Sequence, residues 1–254
     1  MHRITLLLVT VLISIRGAFA AAVMPEPVVL KAADGVMVFG DYYKAEKPKA
    51  LILLFHQAGS NRSEYAPIAP KLMQAGYSAL AIDQRSGGTL FGHGNQTVAR
   101  LGHSTNYLDA EKDLEAALAW SEPAAARLPV ILWGSSYSAS LVFLVAAKQP
   151  GKLAAVLSFS PGEYLGDGNP VSAAAAKVTV PIFITSAKDP EEIAAARKIL
   201  DASASKSKIQ FVPTLGGVHG SSTLRDDRNR QGADENWQAV LAFLGALKPV
   251  PSAR

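Results

Sequence analysis

Residues 129–138 read P-V-I-L-W-G-S-S-Y-S. The apolar run Val130, Ile131, Leu132, Trp133, with its β-branched residues, has the pattern of a buried strand, and it passes through Gly134 into a helix-like stretch over residues 139–148. Between them, Gly134-Ser135-Ser136-Tyr137-Ser138 fits the nucleophile-elbow pattern G-x-S-x-G with Ser in the last place, which would expose Ser136 on a strained strand-to-helix corner. The flanking positions must be small so that the two backbones can approach, and Ser138 is only slightly larger than Gly. The same residues also suit a Ser-rich helix start, with Ser135 or Ser136 acting only as a cap.

Working outward, short apolar runs alternate with helical patterns. Residues 28–32 and 36–42 flank Asp34-Gly35 and read as a hairpin. Residues 50–55, 77–83, 152–159, 180–185 and 208–212 read as further strands, the first of them apolar throughout, as in a strand buried on both faces. Helical patterns cover 63–74, 107–120, 173–177, 191–203 and 234–247. This order predicts an α/β fold: a mostly parallel central sheet of about eight strands with an N-terminal antiparallel hairpin, helices on both faces and no large cap domain, since residues 160–179 are too few to build one.

The chemistry-bearing residues then fall into place. Ser136, Asp189 and His219 each lie just past the carboxyl end of a predicted strand, in the chain order nucleophile, acid, base. His219 sits in the Gly-rich loop L-G-G-V-H-G-S, on flexible and closely approaching backbone. His56, directly after a strand, is expected to shape its loop by hydrogen bonding rather than act as a base. The long connection 84–106 is expected to be either functional or poorly ordered; its His93 and His103 lack metal-ligand spacing and read as surface residues. Asp83 and Arg85 are expected to pair with each other or with nearby backbone.

The N-terminus has its own logic. Met1-His2-Arg3 is a short basic start, residues 4–15 are apolar, and Ala18-Phe19-Ala20 has small-x-small spacing, so residues 1–20 are expected to be a signal peptide. Residues 21–254 would form one domain, periplasmic or secreted, with no stable membrane insertion after cleavage. Without Arg3 and Arg16 the formal charge falls from +4 to +2, too small to suggest a nucleic-acid partner. The chain has no Cys, which excludes disulfides and a thiolate nucleophile.

F-H-Q-A-G-S, D-Q-R-S-G-G, W-G-S-S-Y-S, S-A-K-D-P and G-G-V-H-G together resemble the α/β-hydrolase superfamily, and within it the small, lidless dienelactone-hydrolase-like serine esterases. The resemblance covers nearly the whole chain after residue 20. It implies Ser136 as nucleophile, Asp189 as acid and His219 as base, with an oxyanion hole formed by the N–H of Tyr137 and that of Gln57 or Ala58. Two departures stand out: dienelactone hydrolases proper use Cys, and the usual His-Gly is His56-Gln57 here. The implied activity is hydrolysis of a small-molecule ester through an acyl-enzyme, without metal or organic cofactor. The short 160–179 segment points to short acyl groups, with Leu90, Phe91 and Leu101 lining a shallow cleft beside Tyr137. A peptidase, amidase or thioesterase would share these residues, and a non-catalytic binding protein could keep the fold.

Overall fold

The computed structural model describes residues 24–124 and 128–248. The expected signal peptide lies outside the described residues. The hairpin forms as β1 (Glu26–Lys31) and β2 (Met37–Tyr43), turning at Gly35 with a φ of +87°. The other strands are β3 (Leu51–Phe55), β4 (Ser78–Ile82), β5 (Val130–Ser135), β6 (Ala155–Phe159), β7 (Ile182–Thr185) and β8 (Lys208–Phe211). They form one sheet in the order β1-β2-β4-β3-β5-β6-β7-β8, antiparallel at β1/β2 and β2/β4 and parallel from β4 onward. β3 and β5 lie at the centre, so the loops after them share one end of the sheet. That end is where an open α/β sheet keeps its reactive groups.

Strand alternation divides the core in two. Leu51, Leu53, Phe55, Leu132, Val156 and Ile184 face one side, covered by α3 (Glu111–Ala124), α4 (Tyr137–Lys148), α5 (Pro170–Ala175) and α6 (Pro190–Ala202). Ile52, Leu54, Ile131, Trp133, Leu157 and Phe183 face the other, against α1 (Ala69–Gln74), α7 (Ala233–Ala246) and Leu224 of a 3-10 turn over Gly220–Leu224. Among the described residues no helix is long and apolar enough to cross a membrane.

Two segments differ from the sequence reading. The helix expected over 63–74 is a 3-10 turn, Arg62–Tyr65, followed by the short α1, because Pro67 and Pro70 supply no backbone N–H to a continuous ladder. The long connection 84–106 is ordered and carries a 3-10 turn, Leu90–Gly92, and α2 (Gln96–Leu101). Asn61 Nδ2 donates to the carbonyls of Gly88, Leu90 and His93, and Asn95 Nδ2 donates to that of Gln84. His93 and His103 are exposed.

Asp83 and Arg85 both find ion partners, but not each other. Asp83 pairs with Arg62 and accepts the N–H of Gln96. The buried Arg85 guanidinium is held by Asp113 on α3 and by Asp34 at the hairpin turn, fastening three distant segments. Removing one partner of a buried pair leaves an uncompensated charge and costs about 3–5 kcal/mol. With Asp34 still in place, Asp113→Ala is expected to destabilise the fold by about 3 kcal/mol, the low end of that range. Urea unfolding should show the midpoint falling with an unchanged slope.

Candidate active site

At the end of β5 the chain turns through Ser136 with φ 59° and ψ −123°, directly before α4. The turn needs Gly134: a Cβ there would overlap the Ser138 carbonyl oxygen. Ser138 occupies the place of the usual second Gly and uses its hydroxyl, donating to the His56 carbonyl at 2.6 Å and accepting from Gln84 Nε2 at 2.7 Å. Neither Ser135 nor Ser136 caps the helix. The Ser135 hydroxyl turns inward to Glu64, and Ser136 Oγ lies 2.8 Å from His219 Nε2.

His219 hangs from the loop between β8 and the Gly220–Leu224 turn. Its neighbours approach as closely as the glycines suggested, since a Cβ at Gly232 would overlap the carbonyl of Gly216. Yet the loop is fastened: Asn229 and Asn236 donate to the Gly216 carbonyl, and Glu235 accepts from the amides of Thr214 and Leu215.

The carboxylate beside the imidazole is not the expected Asp189. His219 Nδ1 lies 2.7 Å from Glu192 Oε1, and Asp189 makes no contact with the ring. Asp189 is instead the N-cap of α6, its Oδ1 accepting the amides of Glu191 and Glu192 at 2.9 and 3.2 Å. The physical reason is local: an Asp followed by Pro190 sits at the start of a helix, where its short side chain reaches its own free N–H groups. One turn in, the longer Glu192 projects to His219, and its Oε2 accepts the amide of Ala187 at 3.1 Å. Lys208 on β8 closes the other end of α6, donating to the carbonyls of Leu200 and Ser203. Burial pushes the Glu192 pKa up, but hydrogen bonds from His219 and Ser160 outweigh it and leave the carboxyl below its ordinary value. The hydrogen bond to Glu192 raises His219 above its ordinary value, against partial burial. The neutral ring thus donates from Nδ1 and accepts at Nε2, ready to take a proton from Ser136.

The loop after β3 faces this pair. His56 is buried, accepts the N–H of Gln84 at Nε2 (2.9 Å) and donates from Nδ1 to the Gln57 carbonyl (2.8 Å), a pattern that only the neutral ring can make. Burial lowers its pKa, so it shapes the loop, as the sequence suggested. The N–H of Gln57, one of the two amides expected to serve as the second oxyanion donor, is taken by Glu64 Oε2 at 2.8 Å. The Ala58 amide has no acceptor among the described residues, and that of Tyr137, first in α4, has none within its helix. Tyr137 itself is buried, its ring stacked on Tyr107 at 4.4 Å and its hydroxyl 2.6 Å from Ser86 Oγ. Of the three residues expected to line a cleft, Leu90 is exposed beside Gly59, Phe91 lies under the guanidinium groups of Arg225 and Arg228, and Leu101 faces the hairpin turn with Asp34 and Met37.

Known proteins share this framework. The fold is similar to that of a dienelactone hydrolase from Anabaena variabilis (TM-score 0.67, 19% identity, 89% of this chain and 100% of that one). It is also similar to an esterase from Pyrococcus furiosus (TM-score 0.66, 18% identity, 88% and 92%); at such identities the likeness is one of fold. In sequence, the chain is 32% identical over 147 residues to monoglyceride lipase of Homo sapiens, covering 58% of this chain and 45% of that protein. It is 27% identical over 173 residues to monoacylglycerol lipase of Mycolicibacterium smegmatis, covering 63% and 59%. The matched region thus spans about half the length of these curated relatives. Residues 46–220, a stretch that runs from before β3 to just past His219, match the family model described as serine aminopeptidase, S33. With more than half of its length inside that model and the fold of its structural neighbours, the chain belongs to the serine aminopeptidase S33 family of α/β-hydrolases.

Proposed function

We propose that the protein is a serine hydrolase that cleaves short-acyl carboxylic esters through Ser136, His219 and Glu192. The observation that carries this reading is the unbroken hydrogen-bond chain Glu192–His219–Ser136, at 2.7 and 2.8 Å, on a strained elbow. Ser136 Oγ attacks the ester carbonyl carbon while its proton passes to His219 Nε2. Glu192 holds the ring in the required tautomer and stabilises the imidazolium that forms. The amides of Tyr137 and Ala58 receive the oxyanion, each donor of this kind contributing roughly 3 kcal/mol. Collapse of the tetrahedral species breaks the bond to the leaving oxygen, which takes the proton from Nε2. Water then attacks the acyl-enzyme, giving its proton to Nε2, and the acid leaves as Ser136 Oγ recovers that proton.

A peptidase would use the same residues, and the family description favours that alternative. The monoglyceride and monoacylglycerol lipases among the relatives support an ester bond as the target instead.

The assignment of the acid is open to a direct comparison. Glu192→Gln is expected to lower kcat/KM on p-nitrophenyl acetate on the order of 10³- to 10⁴-fold, whereas Asp189→Asn, which keeps a good helix cap, should retain most activity. The reverse ranking in folded variants would return the role to Asp189.

Between β6 and β7 the described chain builds only α5, six residues long, a short segment from which to wall a deep acyl tunnel. The exposed Leu90 and Tyr107 offer a shallow rim. We therefore infer an optimum at about two to four acyl carbons, each further methylene gaining less than the roughly 0.8 kcal/mol of full burial. A p-nitrophenyl ester series and a monoacylglycerol series measured by kcat/KM test it; an optimum at eight carbons or more refutes it.

Export is part of the same proposal, supported by the basic, apolar and small-residue pattern of residues 1–20. Intact mass of the exported chain should place its first residue at Ala21, within about two positions. Full-length chain in the soluble exported fraction would contradict it.

A further inference from the structure

Beneath the site lies a buried carboxyl that none of those steps uses. Glu64, in the Arg62–Tyr65 turn, is fully buried. Its Oε2 accepts the N–H of Gln57 at 2.8 Å, and its Oε1 accepts the hydroxyl of Ser135 at 2.7 Å. Ser135 Oγ in turn accepts the N–H of Ser221, two residues past His219, at 2.8 Å. The loop bearing Ala58, the elbow bearing Ser136 and the loop bearing His219 therefore converge on one side chain. We propose that Glu64 is a positioning residue of the active site, which fixes the Ala58 amide and the His219 loop against Ser136 and supports the imidazolium with its charge.

The direction of each hydrogen bond favours this role. The amides of Gln57 and Ser221 can only donate, so the Ser135 hydroxyl, already accepting from Ser221, has its proton free for Glu64. A carboxylate satisfies both of its donors. By spending the Gln57 N–H on Glu64, the loop leaves the next amide, that of Ala58, for the oxyanion. A side chain serving only to fill the core would be apolar and avoid the desolvation that a buried carboxyl suffers.

The charged and titratable groups around Glu64 are Arg225, whose Nη1 donates to the backbone carbonyls of Ser63 and Glu64, the His219 ring, and Tyr65, whose hydroxyl donates to the Phe55 carbonyl. Burial pushes the Glu64 carboxyl up to about 7, against the pull of Ser135, Gln57, Arg225 and His219. Above that pH it is ionised, and its charge adds to the Glu192 hydrogen bond in holding His219 above its ordinary value.

The inference rests on the reading of Ser136 and His219 as the reacting pair, so the test reports on both. The second-order rate of Ser136 phosphonylation by a fluorophosphonate is measured from about pH 5 to 9 for the wild type, Glu64→Gln and Ser135→Ala, with folding followed by circular dichroism. In the wild type the rate should rise as His219 loses its proton, with a midpoint above 6.5. Glu64→Gln removes a negative charge that favours the imidazolium, so the midpoint should move to lower pH. Its plateau rate should fall on the order of 10- to 100-fold, as expected for a misplacement of about 1 Å. Ser135→Ala breaks the link to Ser221 and removes one of the hydrogen bonds that hold Glu64 ionised, so its plateau rate should fall, with a midpoint shift in the same direction as in Glu64→Gln but smaller. A folded Glu64→Gln with the wild-type rate and midpoint overturns the proposal. If that variant does not fold, a folded Ser135→Ala with the wild-type rate does so. A wild type not labelled at Ser136 overturns the underlying reading and the proposal together.

Discussion

At the end of β5 the backbone passes through Ser136 at φ 59°, a conformation L-residues rarely adopt, typically unfavourable by about 1–3 kcal/mol. It persists because strand and helix cross so closely that position 134 has no space for a Cβ, and because the residues around the corner are tied to other parts of the molecule. Ser138 joins α4 to the His56 carbonyl and to Gln84, and Ser135 joins β5 to Glu64 and Ser221. His56 then joins its own loop to the start of the 84–106 connection. Relaxing the corner would disturb all of these contacts at once, so the strained hydroxyl keeps its place facing His219.

How far the sequence could be read depended on the range of the interaction concerned. The strands and the elbow announce themselves through local apolar runs and a spaced Gly, and the sheet order follows from short right-handed crossovers. His219 was legible as a candidate because a lone His in a Gly-rich loop past the last strand has few other uses. Its carboxylate partner was not, because Asp189 and Glu192 both follow β7 and chain order alone cannot separate them. The missing signal was present in Asp189-Pro190-Glu191-Glu192, where Asp before Pro marks a helix cap and leaves the next turn to face the base. The choice between the Gln57 and Ala58 amides stayed open for a different reason: that of Gln57 is engaged by Glu64, seven residues on, and no local pattern shows that.

The connection 84–106 shows what length alone conceals. Its length suggested either function or poor order, yet Asn61 and Asn95 each accept one helix-start amide and give their Nδ2 protons to carbonyls of this segment or its neighbours. An Asn side chain can serve both purposes because it carries donor and acceptor together. A backbone lacking regular ladders thereby finds partners, and Phe91, at φ 67°, is kept beneath two guanidinium groups.

Because the carboxylate behind the base belongs to α6 rather than to a loop tip, its aim is inherited from a thirteen-residue rod. Asp189 seals one end of that rod and Lys208 the other, with signs that suit the helix dipole at each terminus. Rotation of α6 about its axis would swing Glu192 along an arc away from the imidazole, and sliding by one residue would displace it by about 1.5 Å. The position of that carboxylate is thus tied to an entire packed layer. A proton arriving on the imidazole would meet it already aligned, with little freedom left to lose.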